Sequence, residues 1–295
     1  MPDPTAPSRP HAYLALAGGV LFIGFAPIFI KLAGTTGDVV GAYRLVIAAA
    51  VLATPAALRW RRGETRLPRR ALGWALLAGT AFAADMAVWG TAVLLTTAST
   101  ATFLGNTAPV WVALGAWLLF REDLRPTYWL GLTVALGGAA LLVGLDGLTW
   151  QGPSLGNVLA LVGGGLYAIY QLITNRTRAL ADTLSYTWTF TAAGGVLLVI
   201  TALALGHPLV GLPVTSLLVL VAAALIGQVG GWMLINYAFG ELPASLVSAT
   251  LLGQPVIATL LAAPILGERP TVWHVAGGFV TLAGIALVMY SRPRG

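Results

Sequence analysis

Residues 92–122, AVLLTTASTATFLGNTAPVWVALGAWLLFRE, align without a gap with residues 238–268, AFGELPASLVSATLLGQPVIATLLAAPILGE, at an offset of 146. Eight of the 31 positions are identical, and they include Pro109/Pro255 and Glu122/Glu268. Both stretches continue with Pro-Thr-x-Trp, at Pro126 to Trp129 and at Pro270 to Trp273. Nearer the two starts, residues 14–21 (LALAGGVL) return as residues 159–166 (LALVGGGL), six of eight the same. The chain therefore reads as a duplication, and self-similarity on this scale governs architecture before any local pattern does.

Each copy holds five apolar runs of membrane length. About 20 apolar residues suffice to cross a hydrocarbon core about 30 Å thick as a helix. Ten such runs are read, at 12–33, 38–58, 71–91, 98–119, 126–145, 154–174, 183–205, 214–237, 243–266 and 270–290. Composition agrees: 58% of residues are hydrophobic and 9% charged, against about 25% charged in soluble domains. The short alternating segments of a membrane β-barrel are not evident. The expected fold is an all-α polytopic membrane protein of ten transmembrane helices, arranged as two five-helix inverted repeats around a central cavity. Residues 12–145 form the first repeat and 146–290 the second, with tails at 1–11 and 291–295. Five crossings is an odd number, so the second copy enters the membrane in the opposite sense. Inverted repeats are common in secondary transporters, which hold substrate near the bilayer midplane where the halves meet.

Charge sets the orientation. Six arginines (Arg59, Arg61, Arg62, Arg66, Arg69, Arg70) crowd one loop, the pattern of a cytoplasmic loop. On that assignment thirteen of sixteen basic residues lie on or near the cytoplasmic face, with Lys31, Arg44 and Arg269 the exceptions. Both termini are then cytoplasmic, in a bacterial inner membrane. The net charge of +6 is thus read as a topology marker, and no nucleic acid is expected as a partner. The partners implied are the lipid bilayer and a small-molecule substrate. There is no cysteine, no phosphate-binding loop and a single lysine, Lys31. No cofactor or ATP-binding subunit is evident. His11, His207 and His274 are far apart and lack acidic neighbours at ligand spacing, so no metal site is expected. An intramembrane enzyme would need paired acids, a Ser-His dyad or a metal cluster, and a channel filter is usually assembled from several chains.

The polar residues inside the spans are the candidates for handling a solute. Pro109 and Pro255 sit near the centres of helices 4 and 9, where each removes an N–H and kinks its helix. They are read as gating kinks, with plain packing kinks as the alternative. Asp85 is the only acidic residue well inside a span, and a charge there should face water or the bundle interior. Trp89, four residues on, shares its face. Together they would suit an ammonium group and an apolar body. Asp85 could also carry a coupling proton, or pair with Arg44 of helix 2. Arg44 could in turn grip a carboxylate or snorkel to the interface. Gln228, Trp232 and Asn236 form a stripe at i, i+4 and i+8 of helix 8, read as cavity lining in preference to interhelical glue. Phe103 and Asn106 on helix 4, Tyr167, Tyr170 and Gln171 on helix 6, and Gln254 on helix 9 complete the candidate substrate-binding set. Trp60, Trp74, Trp129, Trp150 and Trp273 fit an interfacial belt.

The duplicated five-helix pattern, the Ala108-Pro109 and Gln254-Pro255 helix centres and the loop-end Glu122 and Glu268 resemble the drug/metabolite transporter superfamily over about residues 12–290. More narrowly the chain resembles its EamA-type bacterial exporters, and among those the aromatic amino-acid exporters. The resemblance implies a central cavity lined mainly by helices 1, 3, 4, 6, 8 and 9, with helices 5 and 10 peripheral. It also implies export of small organic solutes, aromatic or other hydrophobic amino acids, by alternating access. A carrier or flippase for another metabolite, drug or lipid-linked substrate is the alternative.

Overall fold

A computed structural model of the chain describes residues 10–96, 98–143, 154–267 and 270–291. Glu268, Arg269, Trp150, Arg9, Arg292 and Arg294, both tails in large part and the expected boundary between the repeats lie outside the described residues. Every regular element among the described residues is a helix, and none is a strand. In order they form α1 (Pro10–Ile23), α2 (Ala26–Ala33), α3 (Gly37–Arg61), α4 (Arg69–Leu95), α5 (Ala98–Gly105), α6 (Ala108–Phe120), α7 (Pro126–Val143), α8 (Leu155–Arg178) and α9 (Thr183–Ala204). Then follow α10 (Val214–Ala222), a π-helical stretch (Ala223–Trp232), α11 (Met233–Glu241), α12 (Ala244–Leu251), α13 (Gln254–Leu266) and α14 (Val272–Tyr290). With helices that follow one another across a break joined, nine helical stretches among the described residues are long and apolar enough to span a bilayer, and Pro126–Leu142 is a shorter apolar helix. The protein is a polytopic membrane protein. Leu118, Leu119 and Phe279 stand largely exposed, as side chains do where lipid tails are the solvent.

Two seams show how the helices pack. Along α7 and α14, Gly131 lies against the Gly284 carbonyl and Val288, and Gly138 against Gly277 and Thr281. Rising numbers on one helix meet falling numbers on the other, so the two run antiparallel. A methyl on Gly131 would stand 2.9 Å from the Gly284 oxygen, and one on Gly277 2.8 Å from that of Gly138. Only glycine permits this approach, and close van der Waals packing is what joins helices in lipid, where the hydrophobic effect gives no drive. The second seam joins α3 to α9, also antiparallel: Gly195 meets Leu45 and Val46, and the Trp188 indole donates to the Ala49 carbonyl at 3.1 Å.

The helix ends are tied by side chains from distant loops. Arg121 adopts the left-handed conformation, φ 55°, at a cost of about 1–2 kcal/mol for a non-glycine residue. It turns the chain so that Glu122 reaches the first turn of α12. There the carboxylate accepts from the Ala244 N–H at 3.1 Å and from the Ser245 hydroxyl. Burial raises the Glu122 pKa above its ordinary value, and these two bonds offset the rise only in part. Asp182 caps α9, accepting from the N–H of Ser185 and of Arg66, each at 2.9 Å, with Arg59 at 3.9 Å. Burial works against its charge, but those donors and Arg59 outweigh burial and hold its pKa below the ordinary value. Toward the other end of α3 and α9, His207 meets Asp38 at 2.7 Å. This contact gives His207 an acidic partner 169 residues away, which local spacing could not reveal.

Candidate functional site

Pro109 and Pro255 do more than kink their helices. Each occupies the second position of a new helix, and the chain is broken just ahead of it, at Asn106–Thr107 and at Leu252–Gly253. The two breaks are 146 residues apart, the repeat offset. A proline cannot donate to the carbonyl four residues earlier, so Gly105 and Leu251 lose their regular helical donors. The breaks face each other across a cleft lined by Gly105, Asn106, Ala108 and Pro109 on one side and by Ser248, Leu251, Leu252 and Gln254 on the other. Tyr167 and Gln171 of α8 complete it. The cleft is tight, with about 20 Å³ open to water, roughly one molecule's worth. Gln171 is fully buried and neither amide atom is bonded; Ser248 is fully buried and its hydroxyl is unbonded. An unmet buried polar group costs about 1–3 kcal/mol, so the cleft is built for a polar guest. A third break, at Gly24–Phe25 ahead of Pro27, separates α1 from α2. The Gln254 amide donates to the Ile23 carbonyl beside it at 3.3 Å.

A charged and aromatic zone adjoins the cleft and shares Tyr167 with it. Phe82 of α4 is its hub, with ring centroids of Tyr170 at 4.8 Å, Trp232 at 5.0 Å and Phe190 at 5.7 Å. Tyr167 and Tyr170 stack at 6.0 Å. The Arg44 guanidinium lies 5.9 Å from the Phe82 centroid, within cation–π range, and its Nη2 is 3.5 Å from the Met86 sulfur. Its Nε has no partner. Asp85, one helical turn beyond Phe82, lies against Gly163, where an added methyl would stand 3.3 Å from its Oδ1. Arg44 and Asp85 feel each other's charge, yet neither takes part in the ion pairs found among the described residues. Both are half-buried. The direct Asp85–Arg44 pair considered from sequence is therefore not formed. Trp89 donates its indole N–H to the Ala101 carbonyl at 3.2 Å and packs against Gly105, so it joins the zone to the first helix break.

The remaining candidates divide. Asn106, Tyr167, Gln171, Gln254 and Pro109 line the cleft. Phe103 and Pro255 are half-buried beside it without lining it. The helix 8 stripe is interhelical packing in this conformation. Asn236 accepts from the Tyr170 hydroxyl and donates to Thr187, each at 3.1 Å; Gln228 donates to Thr191 at 3.2 Å; Trp232 packs in the aromatic cluster. Their partners Thr187 and Thr191 are unexceptional in sequence, which is why amides that look like cavity lining turn out to bind α9. Ser248 carries a fainter signal: it lies seven residues, two helical turns, before Pro255. The π-helical stretch was legible only as the glycines Gly227, Gly230 and Gly231. Such bulges recur at functional sites, and here Gly230 and Gly231 admit Phe22 and Ile23 of the first helix. A larger pocket, about 200 Å³, lies away from this region at the opposite end of α6, lined by Glu122, Arg125, Tyr128 and Ser245 among others. None of the candidate residues lines it.

The EamA-like transporter family matches the chain over residues 11–144 and again over 154–290. An uncharacterized transporter of Archaeoglobus fulgidus is 27% identical over 287 residues, covering 95% of this chain and 97% of that one. An uncharacterized transporter of Clostridium kluyveri is 25% identical over 237 residues, or 78% and 76% of the two chains. The uncharacterized transporter YdfC of Bacillus subtilis is 26% identical over 191 residues, or 64% and 61%. One crystal structure superposes with a TM-score of 0.82 at 20% identity, over 96% of this chain and 98% of that one. At that identity the likeness concerns fold alone.

Proposed function

The chain belongs to the EamA-like transporter family, and on that premise we propose that it exports amino acids with hydrophobic or aromatic side chains through its centre by alternating access. The ten spans form two inverted five-helix repeats, residues 12–145 and 146–290, in a bacterial inner membrane with both termini cytoplasmic. The twofold family match and the antiparallel α7–α14 and α3–α9 seams support that arrangement. The carrying observation is the pair of unpaired opposite charges, Arg44 and Asp85, set beside the rings of Phe82 and Tyr167. An amino acid brings the complement of each part. Its ammonium meets Asp85, its carboxylate meets the Arg44 fork, and its side chain lies against the rings. The breaks at Asn106–Thr107 and Leu252–Gly253 supply the bends about which the half-helices swing. Substrate shifts the balance between the two end states only by binding one better than the other.

Liposomes containing the purified protein and loaded with labelled tryptophan, phenylalanine, alanine or a control sugar test this reading. Tryptophan and phenylalanine should leave faster than from empty liposomes, and the sugar should not. Asp85→Asn and Arg44→Gln should each cut the rate roughly 10- to 100-fold, because a hydrogen bond to a charged group is worth about 1.5–3 kcal/mol. No amino acid moving faster than in protein-free vesicles would remove the proposal.

A further inference from the structure

The cleft between the helix breaks gathers backbone and side-chain oxygens, and some of its buried polar atoms have no partner. Pro109 and Pro255 deprive the Gly105 and Leu251 carbonyls of their helical donors, and both residues line the cleft. Ser248 adds an unbonded hydroxyl and Gln171 an unbonded amide, each on a fully buried side chain. Asn106 contributes another amide. The Gln254 nitrogen is already engaged by Ile23, which leaves its oxygen. A single water molecule can meet only about two to four of these groups. With about 20 Å³ open, nothing much larger than a water enters without movement of the walls.

The lining also selects among small guests. It contains no Asp, Glu, His, Lys or Arg. Calcium and magnesium sites are built on carboxylates, and transition metals want imidazole or thiolate. Neutral carbonyl, amide and hydroxyl oxygens suit a hard monovalent cation, and unwound backbone in inverted-repeat carriers offers that kind of shell. We propose that the cleft between Asn106–Thr107 and Leu252–Gly253 binds one sodium ion, coordinated by oxygens drawn from Gly105, Asn106, Gln171, Ser248, Leu251 and Gln254. The ion would bridge the two broken helices and so couple its own binding to their relative position. This site is independent of which solute the neighbouring charged and aromatic zone takes.

The test needs no solute. Purified full-length protein is melted in choline chloride titrated with sodium chloride at constant ionic strength, and bound ²²Na⁺ is counted by equilibrium dialysis. The melting temperature should rise saturably with sodium, and one sodium should bind per chain. Ser248→Ala and Gln171→Leu should each weaken the sodium midpoint roughly tenfold or more, the loss that about 1.4 kcal/mol produces. Should Gln171→Leu fail to fold, Ser248→Ala alone decides. Asp85→Asn should still bind sodium. Superimposable sodium and choline titrations would mean that the cleft holds water only and would overturn the site. An equal response to potassium would overturn the choice of sodium. Loss of the response in Asp85→Asn with retention in Ser248→Ala would move the ion to the carboxylate. Absence of sodium binding would leave the amino-acid assay untouched, so the two proposals fail separately.

Discussion

α5 and α12 occupy corresponding places in the two halves, 98–105 and 244–251, yet they are packed differently. Every residue of α12 from Ala244 to Leu251 is buried, whereas residues 102–105 of α5 are only half-buried. The other halves of the same broken helices repeat the contrast. α6 buries Ala108, Pro109, Val112, Ala113 and Ala116, while α13 buries only Val256 and Ala262. α12 and α6 meet on the side where Glu122 bonds Ala244 and Ser245; α5 and α13 lie toward the opposite side. Two copies of one design thus hold unlike conformations. One end of the paired broken helices is packed and the other is loose, the asymmetry that the proposed alternating access would need at any single stage.

The largest effect should come from reporters placed on that contrast, which the absence of native cysteine makes simple. Phe103→Cys and Ala249→Cys are counterparts at the repeat offset. A membrane-impermeant thiol reagent should label the first at least about tenfold faster than the second, corresponding to about 1.4 kcal/mol of protection. Equal rates would abolish the distinction. Next, Glu122→Cys with Ser245→Cys should form a disulfide under oxidation that stops solute flux, and reduction should restore it. Unimpaired flux in the oxidised form would show that the packed side need not open. Third, Glu122→Ala should expose Ala249→Cys to reagent, since it removes both hydrogen bonds, each worth about 0.5–1.5 kcal/mol.

The acid dependence sharpens the same comparison. A raised pKa means that buried Glu122 holds its proton more tightly than it would in water. Its contribution to the packed side is therefore complete below the ordinary value of 4.5 and declines as pH climbs through the raised one. Glu122→Gln, neutral and still able to bond both partners, should keep Ala249→Cys shielded at every pH. Asp182 has the opposite sign: its contribution is present above 3.8 and is lost as pH falls through the depressed value. Asp182→Ala, which removes a helix cap, should cost the smallest amount, about 0.5–2 kcal/mol in a denaturation midpoint. An unchanged midpoint would remove that tie from the account.

What the sequence disclosed follows from which forces act locally. Long apolar runs must be helical in lipid because every backbone group has to be satisfied within the segment, so the helices fall close to where they are read. Pro109 and Pro255 announce the breaks, since their effect on hydrogen bonding is covalent in origin. Pro27 carries the same message for the first helix, and no repeat partner drew attention to it. Partners far apart in the chain are another matter. Asp38 does not advertise His207, nor Gln228 Thr191. The failure of Arg44 to pair with Asp85 depends on side-chain placement across two helices. The π-helical stretch lies inside a largely apolar run, where hydrophobic periodicity does not distinguish it from an α-helix.

The α7–α14 seam has one more property. Its glycines are spaced by seven on both helices, at Gly131 and Gly138 and at Gly277 and Gly284, and each lies against the opposite helix. A surface that fits an upside-down replica of itself requires no second invention. Two unlinked copies of one half, inserted head-up and head-down, would already mate along it, and fusing them into a single polypeptide would then let each half drift toward a task of its own.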